Sequence, residues 1–110
     1  MRMRSIFLIL IVLPLAMLSS AAWAQSKLES SIFSFDGKDF VRTNTTLVDK
    51  GKSASGTKLD QSSPAYKALM DKRSFSGSAT VFGQDYDANY APLTDASGKL
   101  TGALFVGVAK

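Results

Sequence analysis

The sequence contains no cysteine and no histidine. Without cysteine there are no disulfides, whatever compartment the chain reaches, and no lipid can be attached to a cysteine behind an N-terminal leader. Without histidine, Ser-His-Asp and Cys-His catalytic arrangements are excluded, and so are metal sites built on cysteine and histidine. The glycines do not spell a phosphate loop, since Gly51, Gly56 and Gly98 stand isolated among polar residues. Asp36-Gly37-Lys38-Asp39 lacks the full calcium-loop pattern. Asp36, Asp49, Asp60 and Asp95 fall in turn-like contexts, where a short carboxylate folds back on its own backbone, so they read as turn formers rather than acids or bases. Asn44-Thr45-Thr46 matches a glycosylation sequon, a match common by chance. An enzyme is therefore not expected, and neither is a cofactor or a metal.

A strong charge of one sign is also missing. The 110 residues carry a formal net charge of +4, with basic side chains scattered and unclustered, which argues against a nucleic-acid partner. What the chain does have is a leader. Met1-Arg2-Met3-Arg4 is basic, residues 6–18 are apolar but for Pro14, and Ala22-Trp23-Ala24 supplies small residues around a cleavage point. Basic, apolar and small-residue regions in that order describe a secretory signal peptide over residues 1–24, with Gln25 as the first mature residue. The alternative is an uncleaved anchor, for which the apolar run is short against the ~20 residues of a full span. Cleavage leaves 86 residues, 25–110, read as one small domain, periplasmic or secreted. Its core is thin, because a chain of that size buries only about 60–65% of its unfolded surface.

The mature part reads β-β-α-β-β-β. Residues 25–31 are polar and read as a helix end or a frayed terminus; Ile32–Phe35 is a short β-type run. Asp36-Gly37 marks a hairpin turn, and residues 40–48 (FVRTNTTLV) are rich in β-branched side chains that favour a strand. Residues 49–56 read as a polar loop. Ser63 suits an N-cap and Pro64 the first helical position; Ala65, Tyr66, Leu69 and Met70 form an apolar stripe, and Lys72 and Arg73 complement the negative helix end. Strands are expected at 75–82, with Gly77 where a neighbour approaches closely, at 86–93, and at 100–109. The last strand is apolar on both faces: Leu104, Val106 and Val108 alternate with Ala103 and Phe105. Such a strand is expected to be central and covered on both sides.

Two features carry chemistry. Arg42 lies in mid-strand among apolar and β-branched residues, where a guanidinium can hold a carboxylate through a bidentate pair; the alternative is a surface arginine with its stem laid over apolar neighbours. Tyr86, Ala88 and Tyr90 alternate onto one face of a strand, which suits either the wall of a small-ligand pocket or ordinary sheet packing under the helix. A cation beside hydroxyl donors makes an anion pocket, with Arg42, Tyr86 and Tyr90 as its candidate residues.

Three stretches, FDGKDFVRTNTTL, GTKLDQSSPAYKAL and FSGSATVFGQDYDANYAPLTDASGKLTGALFVGV, together resemble the extracytoplasmic Cache sensor domains. The resemblance is to the Cache 3/Cache 2 fusion type of methyl-accepting chemotaxis receptors and sensor kinases, and it covers nearly all of residues 33–108. It implies an α+β, PAS-like fold: an antiparallel five-stranded sheet with a helical crossover packed on one face and a pocket for a small ligand such as an organic acid or amino acid. Relatives of that type carry a long helix before the first strand and continue into a membrane helix and a signalling region. Here that helix is abbreviated and the chain stops at Lys110, which implies a free-standing exported sensor-like module linked to signal transduction or chemotaxis. Its expected partners are a small organic ligand and a membrane receptor or sensor kinase. The alternative function is an interaction module that pairs with a membrane receptor and has no ligand of its own.

Overall fold

A computed structural model describes residues 28–110; the leader expected over residues 1–24 lies outside the described residues. The elements are β1 (Leu28–Phe35), β2 (Phe40–Thr45), β3 (Val48–Asp49), β4 (Lys52–Ser53), α1 (Pro64–Met70), β5 (Phe75–Val81), β6 (Gln84–Thr94) and β7 (Leu100–Ala109). Five strands form one antiparallel sheet in the order β2-β1-β7-β6-β5, and β3 pairs with β4 in a small separate hairpin. This is the α+β, PAS-like arrangement the sequence predicts, with β7 at its centre.

One face of the sheet holds the core. Phe33 of β1, Phe40 of β2, Ala103 and Phe105 of β7 and Tyr86, Ala88 and Tyr90 of β6 are all buried there, and Ala65 and Leu69 of α1 join them. The alternation has a simple cause: strand side chains point to opposite faces with period two, so each strand sends every second residue inward. The helix is set by its ends. Ser63 Oγ accepts from the Tyr66 N–H at 3.1 Å, and Pro64 needs no N–H partner in the first turn. At the other end Lys72 is left-handed (φ 59°), and the Lys72 and Arg73 amides bond back to the Leu69 and Ala68 carbonyls, each at 2.9 Å. This Schellman closure stops the helix at Met70, which faces outward at 39% exposure rather than joining the apolar stripe.

Three expectations need correction. Residues 28–31 are strand, not helix end or frayed terminus: β1 runs the length of β7 from the Leu28–Val108 pair onward, and its serines hide a period-two pattern with Ser31 and Phe33 inward. The strand expected over 40–48 ends at Thr45, and part of the expected loop is the β3–β4 hairpin, turned at Lys50 and Gly51 with φ of 53° and 81°. Finally, β7 is central but covered on one face only. Leu104, Val106 and Val108 are 39%, 45% and 47% exposed, and with Leu28 and Ile32 of β1 they form a bare apolar stripe. The helix of the crossover lies against the opposite face, so nothing among the described residues covers this one.

The turns make the domain's pH response. Asp36 accepts from the Asp39 and Lys38 amides at 2.7 and 2.9 Å, Asp60 from the Ser62 amide and hydroxyl at 2.9 and 2.8 Å, and Asp95 from the Ser97 hydroxyl and the Lys99 amide at 2.7 and 3.0 Å. These bonds favour the ionised form and hold all three carboxyls below their ordinary range. A depressed folded value means stability that is present above the unfolded carboxyl pKa and is lost as pH falls through the folded one. With no histidine to titrate, the melting temperature is expected to be flat between about pH 5 and 7 and to fall below about pH 4. A transition near pH 6 in a thermal melt series would contradict this.

Candidate ligand site

Arg42 enters the core by parity. It lies two residues after buried Phe40 on β2, and a bulge at Thr43 of β2, opposite the Ile32–Phe33 step of β1, sets its backbone opposite Phe33. The segment after β4 then runs beside β2. The Arg42 amide donates to the Thr57 carbonyl at 2.8 Å, the Gly56 amide donates to the Arg42 carbonyl at 2.7 Å, and the Leu59 amide donates to the Phe40 carbonyl at 2.9 Å. Both sides of the Arg42 backbone are thus fixed, and the side chain is 3% exposed.

A cation so deep is normally paired, because desolvating it alone is costly. Arg42 is not paired. Its Nη1 donates to Thr57 Oγ1 at 3.0 Å, a hydroxyl oriented by its own bond to the Ala54 carbonyl at 2.6 Å. Its Nε is buried with no partner, and among the described residues no carboxylate forms an ion pair with it. Its guanidinium carbon lies over the Phe33 ring at 4.8 Å and the Phe82 ring at 5.1 Å, cation–π contacts that offset part of the lost hydration without using its N–H groups. Burial lowers the Arg42 pKa, and the neighbouring Tyr90 phenol opposes that. Burial pushes the Tyr90 phenol up, and the nearby guanidinium pulls it back. An arginine guanidinium stays protonated in proteins even when burial lowers its pKa, so the group remains a cation.

Arg42 and Tyr90 line one pocket of about 330 Å³ between the sheet and the crossover. Leu59, Pro64 and Ala65 bound it on the crossover side, and Phe75, Ala79, Val81 and Phe82 on the β5 side. These apolar walls are interrupted by Ser63, Ser78 and Thr80, and the guanidinium and the phenol supply the deeper donors. Two charged groups stand at the edge: Lys58 pairs with Asp39 at 3.4 Å, and exposed Asp60 holds the Ser62 amide and hydroxyl through Oδ1. The arrangement has a buried cation with no ion-pair partner and no buried carboxylate among the lining residues, which is the chemistry of an anion receptor rather than of acid–base catalysis.

Of the three residues singled out in the sequence, the structure brings Arg42 and Tyr90 together and sets Tyr86 apart. Tyr86 shares the core face with Tyr90, but its ring packs edge-on to Phe105 at 6.0 Å, and it does not line the pocket. Parity fixes the face of a side chain and not its place along the strand, and the crossover roofs only the Tyr90 end. Sequence reasoning missed Phe82 and Thr57. Phe82 had a signal: it precedes Gly83 at a two-residue hairpin turn, a position where Asn or Asp is the usual choice. Thr57 had none, because its role depends on the chain folding back along β2.

Among known families, the model of the Cache 3/Cache 2 fusion domain matches residues 26–110. No curated protein matches the chain.

Proposed function

From the premise that the chain belongs to the Cache 3/Cache 2 fusion family, an extracytoplasmic sensor-type module for signal transduction, we propose that it binds a small organic acid without chemically changing it. The observation that carries this reading is the buried guanidinium of Arg42, which lines the pocket with its Nε unpartnered. A carboxylate placed there accepts from the free N–H groups and from the Tyr90 hydroxyl, while its carbon body lies against Leu59, Phe75 and Val81. An amino acid fits less well than a simple organic acid, because the one carboxylate that lines the pocket, Asp60, lies at its exposed edge and already holds Ser62. Tyr86 supports the site from behind, through Phe105, which also packs on Tyr90 with ring centroids 5.0 Å apart.

Thermal shift of the mature protein against small organic acids, amino acids and inorganic anions tests this. An acid at a hundredfold excess over its dissociation constant adds about 2.7 kcal/mol of stability. For a domain of this size that corresponds to a rise of roughly 10–20 °C. A panel in which no organic acid shifts the melt would leave Arg42 as a structural residue.

The bare apolar stripe favours a second reading, in which the module works through contact with another chain, most simply a second copy. The five side chains expose on the order of 400 Å² together, the size at which apolar patches mark contact surfaces. Two such faces and their polar rims approach the ~1,200 Å² of a small stable interface. Sedimentation showing a monomer at all attainable concentrations would remove this second reading.

Export and release follow from the leader. The native protein is expected to start at Gln25 and to be found in the periplasm or medium, with signalling passed to a membrane receptor or sensor kinase. Intact mass of the native protein checks the start. An intact Met1 in the membrane fraction would make the leader an anchor.

A further inference from the structure

Phe82 is an unfavourable residue for its position. Val81 pairs with Gln84, so Phe82 and Gly83 alone make the β5–β6 turn, with φ of 49° and 78°. Two positive φ values define a type I′ turn, where Asn-Gly or Asp-Gly is preferred and a bulky aromatic side chain is strained. The ring is not there for the turn's own sake. It remains 39% exposed, yet it sits 5.1 Å from the Arg42 guanidinium carbon and lines the pocket. β5 and β2 are opposite edges of the sheet, so this ring reaches from one edge to the cation carried by the other. A locally unfavourable choice with a contact of this kind points to function at the site rather than to the needs of the fold.

We propose that Phe82 is the lid of the anion site and sets its specificity, by closing the pocket over Arg42 so that only anions with an apolar body are retained. The inference rests on the reading of Arg42 as the anion-binding group. Aromatic rings accept no guanidinium N–H in the plane of the cation, so the in-plane donors stay available to a carboxylate while the ring keeps water away. An organic acid buries its carbon body beneath the ring. A fully hydrated inorganic anion has nothing to bury there and must lose its water to enter.

The test uses phenylglyoxal, which modifies exposed guanidinium groups, with labelling at Arg42 read by peptide mass spectrometry. Arg73, whose guanidinium bonds Asp71 at the surface, is the internal reference. Phe82→Asn removes the ring while giving the turn its preferred Asn-Gly pair, so it is expected to melt within a few degrees of wild type or above it. Read well below both melting temperatures, labelling of Arg42 in that variant is expected to be at least tenfold faster than in wild type, and Phe82→Tyr is expected to restore the protection. In the same assay, propionate is expected to protect Arg42 more than phosphate does in wild type, and that preference is expected to shrink severalfold in Phe82→Asn. Unchanged Arg42 labelling in Phe82→Asn overturns the lid, whatever propionate does. Faster labelling with an unaltered propionate-to-phosphate preference overturns the specificity role. If propionate and every other acid fail to protect Arg42 in wild type while the lid effect stands, it is the anion-receptor reading that falls.

Discussion

Arg42→Met is expected to fold with near wild-type stability and to lose all response to organic acids. Three terms set the stability side. Removing the buried guanidinium loses two ring contacts, each about 0.5–2 kcal/mol, and its bond to Thr57, about 1 kcal/mol. It also relieves the desolvation of an unpaired cation, an effective penalty of several kcal/mol. Methionine keeps most of the stem volume beside Phe33, so little cavity opens. The terms nearly cancel, and the net change is expected within about 1 kcal/mol, or roughly 4–8 °C at the melting midpoint. Arg42→Ala is the less informative variant, because truncating so buried a stem adds a cavity cost of about 2–5 kcal/mol to the loss of charge. On the binding side the whole ligand-induced rise should vanish, since no other buried cation lines the pocket. Calorimetric titration and a melt of the same preparation separate the two. A loss of more than about 3 kcal/mol would make Arg42 part of the fold, and an unchanged affinity would remove it from the site.

How much of this was legible can be followed residue by residue. The place of β7 was legible, because Leu104, Val106 and Val108 opposite Ala103 and Phe105 leave no polar face to turn to water. That only one face is covered was not, since a cover is a property of the rest of the chain, and the crossover contributes a helix of seven residues, Pro64–Met70. Arg42 could be assigned a face from Phe40 two residues earlier, but its isolation from every carboxylate is a fact of packing. Tyr86 and Tyr90 are equivalent by parity and differ only in what lies above them. The serines of β1 hid the first four residues of a strand, because polar side chains on a half-buried strand look like a loop until their partners on β7 are known. The turn at Phe82-Gly83 could have been flagged as irregular from the sequence alone, while what its ring touches could not.

The glycines give the sharpest contrast between pattern and contact. Gly77, on edge strand β5, is where the sequence suggests a close approach, yet a Cβ built there meets only the ring of Phe75, at 3.1 Å. The close approach of backbone to backbone is at Gly102 on β7, where a Cβ would overlap the carbonyl oxygen of Phe33. A ring at the sheet edge can swing away. A carbonyl in the β1–β7 ladder cannot, because Phe33 pairs with Ala103 on one side and with Arg42 on the other. Gly102→Ala is therefore expected to cost about 1–3 kcal/mol, in the range of overpacked or strained interior positions. A domain of this length has only about 4–13 kcal/mol in all. Gly77→Ala is expected within about 0.5 kcal/mol of wild type, or slightly above it, since alanine has less backbone freedom to lose in a strand. The change at Gly102 should also reach the pocket, because any shift of Phe33 away from β7 moves the ring that lies beneath the Arg42 guanidinium. Urea unfolding midpoints for the two variants, with Arg42 labelling of each in its folded state, check both parts. Equal midpoints for Gly77→Ala and Gly102→Ala would show that the β1–β7 ladder yields to an added methyl, and the centre of this sheet would then be softer than its packing implies.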